Sequence, residues 1–291
     1  MLPAVCHPNN ASAVLPTPVG PLPAAPFTDS LLRSPLLLHI PHASTGIPDD
    51  ACGDFVVDRN TLDAELLRLT DRFTDALYGD GFPPAQIVAA DVSRLVVDVE
   101  RFPDDAQEPC AAHGMGAVYV RTSTGEPLRA ISATRRAQLM NEYYWPHHHR
   151  LDAMAARALE QFGRCVIIDA HSFPVAPLPT QVDVGDPPEI GIGTDAMHTS
   201  AELADVVHTF FTDRGFSVGV NRPFAGALVP NAYYGRDQRV QSVMIEVRRD
   251  LYMNERTGDR LPRFADVQRV LTEFRALLEA WSMPTTRPSV S

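Results

Sequence analysis

The hydrophobic pattern of the chain alternates between short unbroken apolar runs and longer segments with apolar residues three and four apart. Residues 36–40, 86–90, 95–99, 166–173, 190–193, 217–220 and 242–247 are compact runs rich in Leu, Ile and Val, and they predict buried strands. Between them, Leu62, Leu66, Leu69, Phe73 and Leu77 predict helix over 60–79. Thr70 and Asp71 are placed to cap a second short helix there, and Gly79 and Gly81 end it. Residues 132–161 predict a long helix broken near Pro146, and 199–214 another helix. Residues 261–282 form a closing amphipathic helix with Leu261, Phe264, Val267, Val270, Leu271, Phe274 and Leu277 on one side. Residues 105–130 carry Gly and Pro punctuation around one apolar segment, 117–120. Residues 174–190 predict a long loop, because prolines and acids interrupt any period. Strands alternating with helices predict an α/β sandwich with a mostly parallel or mixed central sheet. With no repeat and no shift in composition after residue 30, this is one domain over 31–285, preceded by a Pro/Ala-rich flexible tail over 1–30.

Composition narrows the function. The formal net charge is −11 and the 25 basic residues are all arginine, so nucleic acid is excluded as the main partner and no lysine can serve as base or Schiff-base former. No apolar run is long enough to cross a membrane, and the N-terminus lacks the basic and apolar blocks of a secretory signal. Cys6, Cys52, Cys110 and Cys165 are widely spaced and make no CxxC pair, which argues against a cysteine zinc site or a disulfide framework. A reducing cytoplasm is the expected compartment. Nothing in the pattern specifies an oligomer.

Polar residues then stand out at strand ends, where α/β sheets bind ligands. The 36–40 strand delivers His42, the 95–99 strand Arg101, and the central strand His171. The last strand contains Glu246 where an apolar residue would be cheaper to bury. An isolated His171 would read equally well as a buried histidine bonded to a neighbour. Two histidines with a carboxylate make a catalytic metal set with one position left for water, and a free glutamate beside it can carry the water's proton.

Five segments resemble the N-formylglutamate amidohydrolase family. They are Pro41-His42-Ala43-Ser44-x-Gly46-Ile47-Pro48, Thr70-Asp71-x5-Leu77-Tyr78, Ser93-Arg94-x-Val96-x-Asp98-x2-Arg101-x-Pro103-Asp104, Asp169-Ala170-His171-Ser172 and Ile245-Glu246-x-Arg248-x-Asp250-x-Tyr252-Met253, in order over about residues 36 to 255. The resemblance implies a three-layer, phosphorylase/hydrolase-like fold similar to zinc carboxypeptidases. It implies one divalent zinc ion and hydrolysis of N-formylglutamate to formate and glutamate, the last step in one route of histidine degradation. It assigns His42 and His171 as metal ligands, Arg101 as the arginine that grips the substrate carboxylate, and Glu246 as the general base. Carboxypeptidases carry Glu three residues after the first histidine. Thr45 stands there in this chain, so the third ligand comes from elsewhere, with Asp71 first, Asp75 as fallback and Asp63 weaker. Glu100 beside Arg101 is another departure, since related sequences tend to have a neutral polar residue there.

Arg94 is placed either to hold a second substrate carboxylate or to bond Asp98. Asn221 and Arg222, in a loop after a strand, are candidates for substrate contact, as are Ser172 and Tyr252, although a packed core role suits Tyr252 better. His147, His148 and His149 are neighbours on a helix and point in three directions, so they read as a solvated or partly packed face. His113 lies in a Gly-flanked loop, and His39 reads as a core or sheet-face residue. Ser172 cannot use His171 as its base, because adjacent strand residues face opposite ways. The expected substrate is a small acidic N-acyl amino acid. The alternatives are another deacylase or carboxypeptidase-like amidohydrolase on this scaffold, or a non-catalytic binding protein for acidic metabolites.

Overall fold

The structure, a computed structural model, describes residues 31–177 and 185–284. The tail expected over 1–30 and the middle of the loop after the central strand lie outside the described residues. The strands are β1 (Leu36–Ile40), β2 (Ile87–Ala89), β3 (Cys165–Phe173), β4 (Ile190–Thr194), β5 (Val218–Val220) and β6 (Val240–Arg248). The helices are α1 (Asp49–Cys52), α2 (Arg59–Leu69), α3 (Thr74–Gly79), α4 (Ala133–Leu139), α5 (Trp145–Phe162), α6 (Ala201–Thr212) and α7 (Phe264–Ser282). The strands form one mixed sheet in the order β2-β1-β3-β6-β4-β5. Neighbours are parallel except β4 and β6, which run antiparallel.

Side-chain alternation divides the core. Leu36, Leu38 and Ile40 of β1, Val166, Ile168 and Ala170 of β3, and Val243, Ile245 and Val247 of β6 pack against α3, α6 and α7. Leu37, Cys165, Ile167 and Val240 face the other way, against Leu151, Met154, Ala155 and Ala158 of α5. Helices therefore cover both faces, giving three layers. All nine residues of β3 are buried, which is why its sequence is apolar nearly throughout. The α5 side is the one that carries the polar interruptions, His39, Asp169, His171 and Glu246.

Three expectations differ from what is observed, while both expected helix breaks are present. Residues 95–99 form a turn, not a strand, because Val96 and Val97 bury into one apolar cluster while Leu95 buries into another. The carbonyls of Leu95 and Val96 accept from the buried Arg129 guanidinium instead of a neighbouring strand. The helix of 132–161 is interrupted by a wide turn at Met140–Tyr144, one residue before Trp145 and Pro146. Pro146 has no N–H and its ring would strike the carbonyl four residues back, so the wider turn relieves it. The helix over 60–79 is two helices, with Phe73 in the left-handed region at φ 69° between them. On α7 the buried stripe runs Phe264, Val267, Leu271, Phe274, Leu278, and Leu277 is exposed. Cys52 and Cys165 are free thiols, but Cys110 is disulfide-bonded, against the expectation for a reducing compartment. Among the described residues no helix is long and apolar enough to cross a membrane.

Candidate active site

The site lies at the carboxyl ends of β1, β3 and β6. His42 follows β1 by two residues. Asp71 occupies the gap between α2 and α3, where its N–H donates to the His42 carbonyl at 2.9 Å and its own carbonyl accepts from the Thr74 hydroxyl. The break between α2 and α3 is therefore what turns Asp71 inward. On β3, Asp169 and His171 share a face because they are two residues apart. In register, His39 stands beside Asp169 and His171 beside Glu246. Gly193 lets the 221–228 segment pass over β4, since a Cβ there would sit 2.1 Å from the Gly226 carbonyl oxygen. That passage brings Phe224 to the cavity wall and the Leu228 N–H to Asp169.

His42, Asp71 and His171 converge as one buried group that could hold a metal ion. The Asp71 Oδ2 atom is 3.1 Å from His171 Nδ1 and 3.7 Å from His42 Nδ1. Each histidine has its far nitrogen occupied. His42 Nε2 donates to Asp98 Oδ1 at 2.8 Å, and His171 Nε2 to Asp169 Oδ1 at 3.1 Å. Both Nδ1 atoms consequently point inward, His171 Nδ1 at hydrogen-bonding distance from Asp71 Oδ2 and His42 Nδ1 buried with no hydrogen-bond partner. Carboxylates holding the outer nitrogens of inward-facing histidines are the arrangement that metal sites use. The donor set of two imidazoles and one carboxylate suits zinc.

Charge favours the same reading. Burial opposes ionisation of Asp98, but Arg94, His42 and Arg101 outweigh it and hold the carboxyl well below the usual carboxylate range. Asp71 is likewise held low against burial, by His171, His42 and Arg249. Around the cavity stand five buried carboxylates, Asp71, Asp98, Glu100, Asp169 and Glu246, and three arginines, Arg94, Arg101 and Arg249. Burial opposes a charged His171, but Asp169, Asp71 and Glu100 outweigh it and hold the imidazole well above the ordinary histidine range, so a positive charge is favoured at the centre of this group. Burial pushes the Glu246 carboxyl up to about 8. His171 pulls against that rise and Asp71 adds to it.

The expected residues divide clearly. Glu246, Arg101, Arg94 and Ser172 line the same cavity as the three ligand candidates. Glu246 Oε2 and Arg101 Nε are buried without hydrogen-bond partners. Arg94 bonds Asp98 through Nε at 3.2 Å and Nη2 at 2.7 Å. Tyr252 is core, its hydroxyl donating to the Arg72 carbonyl. Asn221 and Arg222 are exposed and do not line the cavity. Asn221 bonds Thr194, and Arg222 donates to the Asp186 carbonyl. The loop after β5 turns outward at Asn221, and only Phe224 reaches the wall. Asp75 is exposed, and Asp63 pairs with Arg59 at the surface. His113 is exposed. Glu100 lines the cavity but turns its carboxylate to His39, 3.3 Å away, rather than to Arg101.

Several functional neighbours were not legible beforehand. Asp98 holds His42, and Arg249 donates to Asp71 Oδ1 at 2.8 Å and to Ser172 Oγ at 3.2 Å. The acid-rich segment beginning at Asp98 and the paired arginines at the end of β6 were the available signals. The histidine triplet is a correction. His147 and His148 are buried, and His147 Nε2 lies 2.8 Å from His39 Nε2.

The chain is similar to known proteins over most of its length. The sequence model of a family described as N-formylglutamate amidohydrolase matches residues 34–253. An N-formylglutamate deformylase of Pseudomonas putida is 30% identical over 230 residues, 77% of this chain and 83% of that protein. One from Pseudomonas aeruginosa PAO1 is 29% identical, over 86% of this chain and 94% of the relative. The crystal structure of N-formylglutamate amidohydrolase from Ralstonia eutropha JMP134 superposes with a TM-score of 0.73 at 25% identity, covering 87% of this chain and 95% of that one. A gene product of Agrobacterium tumefaciens, at 21% identity and a TM-score of 0.59, covers 85% of this chain and 92% of its own and shares the fold.

Proposed function

The chain belongs to the N-formylglutamate amidohydrolase family, and from that premise we propose that it is a zinc-dependent deformylase that splits N-formyl-L-glutamate into formate and L-glutamate. The observation that carries this reading is the convergence of three inward-facing groups, His42, Asp71 and His171, on a cavity whose wall holds Glu246, with Oε2 not hydrogen-bonded, and Arg101, whose Nε makes no hydrogen bond and stands 3.6 Å from Asp98 Oδ2.

His42 Nδ1, His171 Nδ1 and Asp71 Oδ2 would hold the ion. When bound, zinc supplies a Lewis acid that polarises the formyl carbonyl and lowers the pKa of water. Glu246 takes the proton of the attacking water and passes it to the departing nitrogen, so the C–N bond breaks to give formic acid and a neutral amine, and the acid proton then passes to the amine to leave formate and an ammonium group. Arg101 donates to a substrate carboxylate through its guanidinium. Arg94 keeps its Nε and Nη2 on Asp98 and contributes positive field. Ser172 accepts from Arg249 and its hydroxyl hydrogen-bonds the Tyr252 side chain, so it braces Arg249 at the cavity wall. Asp98 and Asp169 hold the two histidines in the tautomer that presents Nδ1.

The deciding experiment compares kcat/KM on N-formyl-L-glutamate, N-acetyl-L-glutamate and N-formyl-L-aspartate. Formyl-glutamate is expected to lead by at least tenfold. A higher value on the acetyl or aspartyl compound assigns a different deacylase of the same scaffold, and no hydrolysis of any of them overturns the enzymatic reading.

A further inference from the structure

Behind the site runs a chain of buried polar groups that the reaction does not use directly. His171 Nε2 and His39 Nδ1 both meet Asp169 Oδ1, at 3.1 and 2.8 Å, and the Leu228 N–H donates to Asp169 Oδ2 at 2.9 Å. The other nitrogen of His39 lies 2.8 Å from His147 Nε2, at the start of α5. His39, Glu100 and Asp169 are close enough together to suggest a second cation. The distances argue against it. Tetrahedral ligands at zinc distances stand about 3.4 Å apart, whereas His39 Nδ1 and Asp169 Oδ1 are joined by a 2.8 Å hydrogen bond and the other nitrogen of His39 is taken by His147.

We propose that His147 and His39 are positioning residues that fix the orientation and tautomer of the metal ligand His171 through Asp169, and so set metal affinity. This rests on the metal site proposed above.

The proton order follows from counting donors. Asp169 Oδ2 accepts the Leu228 N–H, and its Oδ1 accepts from both imidazoles, so His39 carries a proton on Nδ1. His39 Nε2 then accepts, and His147 donates to it from Nε2. Burial keeps His147 neutral, well below the ordinary histidine range. Its Nδ1, buried with no hydrogen-bond partner, is then a bare lone pair. The reverse order would strand an N–H donor there, which costs about 1–3 kcal/mol. One order is thus favoured along the whole chain, and it ends with the His171 Nε2–H donating to Asp169, which leaves Nδ1, 3.1 Å from Asp71 Oδ2, as the nitrogen that a metal would take. If the proton order reversed, His171 would present N–H to the ion.

The test is zinc affinity by chelator competition in wild type, His39→Leu, His39→Asn, His147→Phe and His147→Gln, with the thermal midpoint of each metal-free protein. Asn can reproduce the Nδ1 donor to Asp169, and Gln the Nε2 donor to His39. His39→Leu is expected to weaken zinc binding about tenfold or more, and His147→Phe by a smaller factor of about threefold or more. The Asn and Gln variants are expected to stay within about twofold of wild type. In 15N-labelled metal-free protein, His147→Phe should lose one hydrogen-bonded imidazole N–H resonance and shift that of His39. If His39→Leu does not fold, the Phe and Gln pair at 147 decides. Equal affinity in all variants, or equal losses in Phe and Gln, overturns the positioning role while leaving the zinc site standing. A wild type that takes up no zinc overturns both.

Discussion

Replacing Glu246 by Gln separates catalysis from stability in opposite directions. The side chain is 6% exposed, and one of its oxygens has no hydrogen-bond partner. Its carboxyl is raised from 4.5 to about 8 in the metal-free protein, first by burial and then by Asp71, against the pull of His171 and Arg249. The folded state therefore keeps a proton that the unfolded chain has already released. Stability contributed by this group falls as pH rises from about 4.5 to about 8 and is level beyond that. At about 1.36 kcal/mol for each pH unit, the interval is worth on the order of 3–5 kcal/mol. Gln has nearly the same shape and no charge to bury, so the metal-free variant is expected to unfold at higher denaturant concentration than wild type at pH 8 and to match it near pH 4.5. Turnover moves the other way, because Gln cannot accept the proton of water. A loss of about 10²–10⁴ in kcat is expected, with KM little changed. Urea unfolding of the metal-free proteins at pH 4.5, 6 and 8, beside steady-state formate release by the metal-loaded ones, measures both. A variant that is less stable than wild type at pH 8, or that turns over at the wild-type rate with metal bound, refutes the assignment of Glu246.

Three further outcomes follow from the same geometry. Arg101→Met removes the guanidinium donor from the cavity wall, and kcat/KM on N-formyl-L-glutamate is expected to fall by about 10²-fold or more; a change below threefold would place the carboxylate grip elsewhere. Asp98→Asn leaves shape intact but takes away the obligate acceptor for His42 Nε2, so zinc affinity in a chelator titration should weaken by about 10–100-fold, and an unchanged affinity would show that His42 does not need that partner. Arg222→Ala, at an exposed loop outside the cavity, is expected to leave kcat/KM within about twofold, and a large loss would mean that the 221–224 loop closes over substrate.

How far the sequence reached depended on which interactions were local. β3 and β6 were readable because long β-branched runs buried on both faces have few other homes, and His171 and Glu246 were readable because they interrupt those runs. The turn at 95–99 was misread since its residues are also apolar throughout, being buried in two clusters at once. Asp71 could be proposed only as a candidate, because the break between α2 and α3 that aims it depends on Phe73 adopting positive φ. His39 beside Asp169 is a fact of register between strands 130 residues apart in sequence, and periodicity carries no register. His147 looked solvated since nothing in its own helix shows that α5 lies against the polar end of the sheet. Arg249 turns inward because a 3₁₀ turn at Arg249–Leu251 follows β6 directly, which strand alternation alone would not place.

The account stands on one ion held by His42, Asp71 and His171 beside Glu246. The most direct test is to strip the purified protein with a chelator, titrate zinc back, and follow formate release from N-formyl-L-glutamate against metal content. The account predicts no turnover without metal and activity that rises linearly to one zinc per chain. Full turnover by the metal-stripped protein would contradict it.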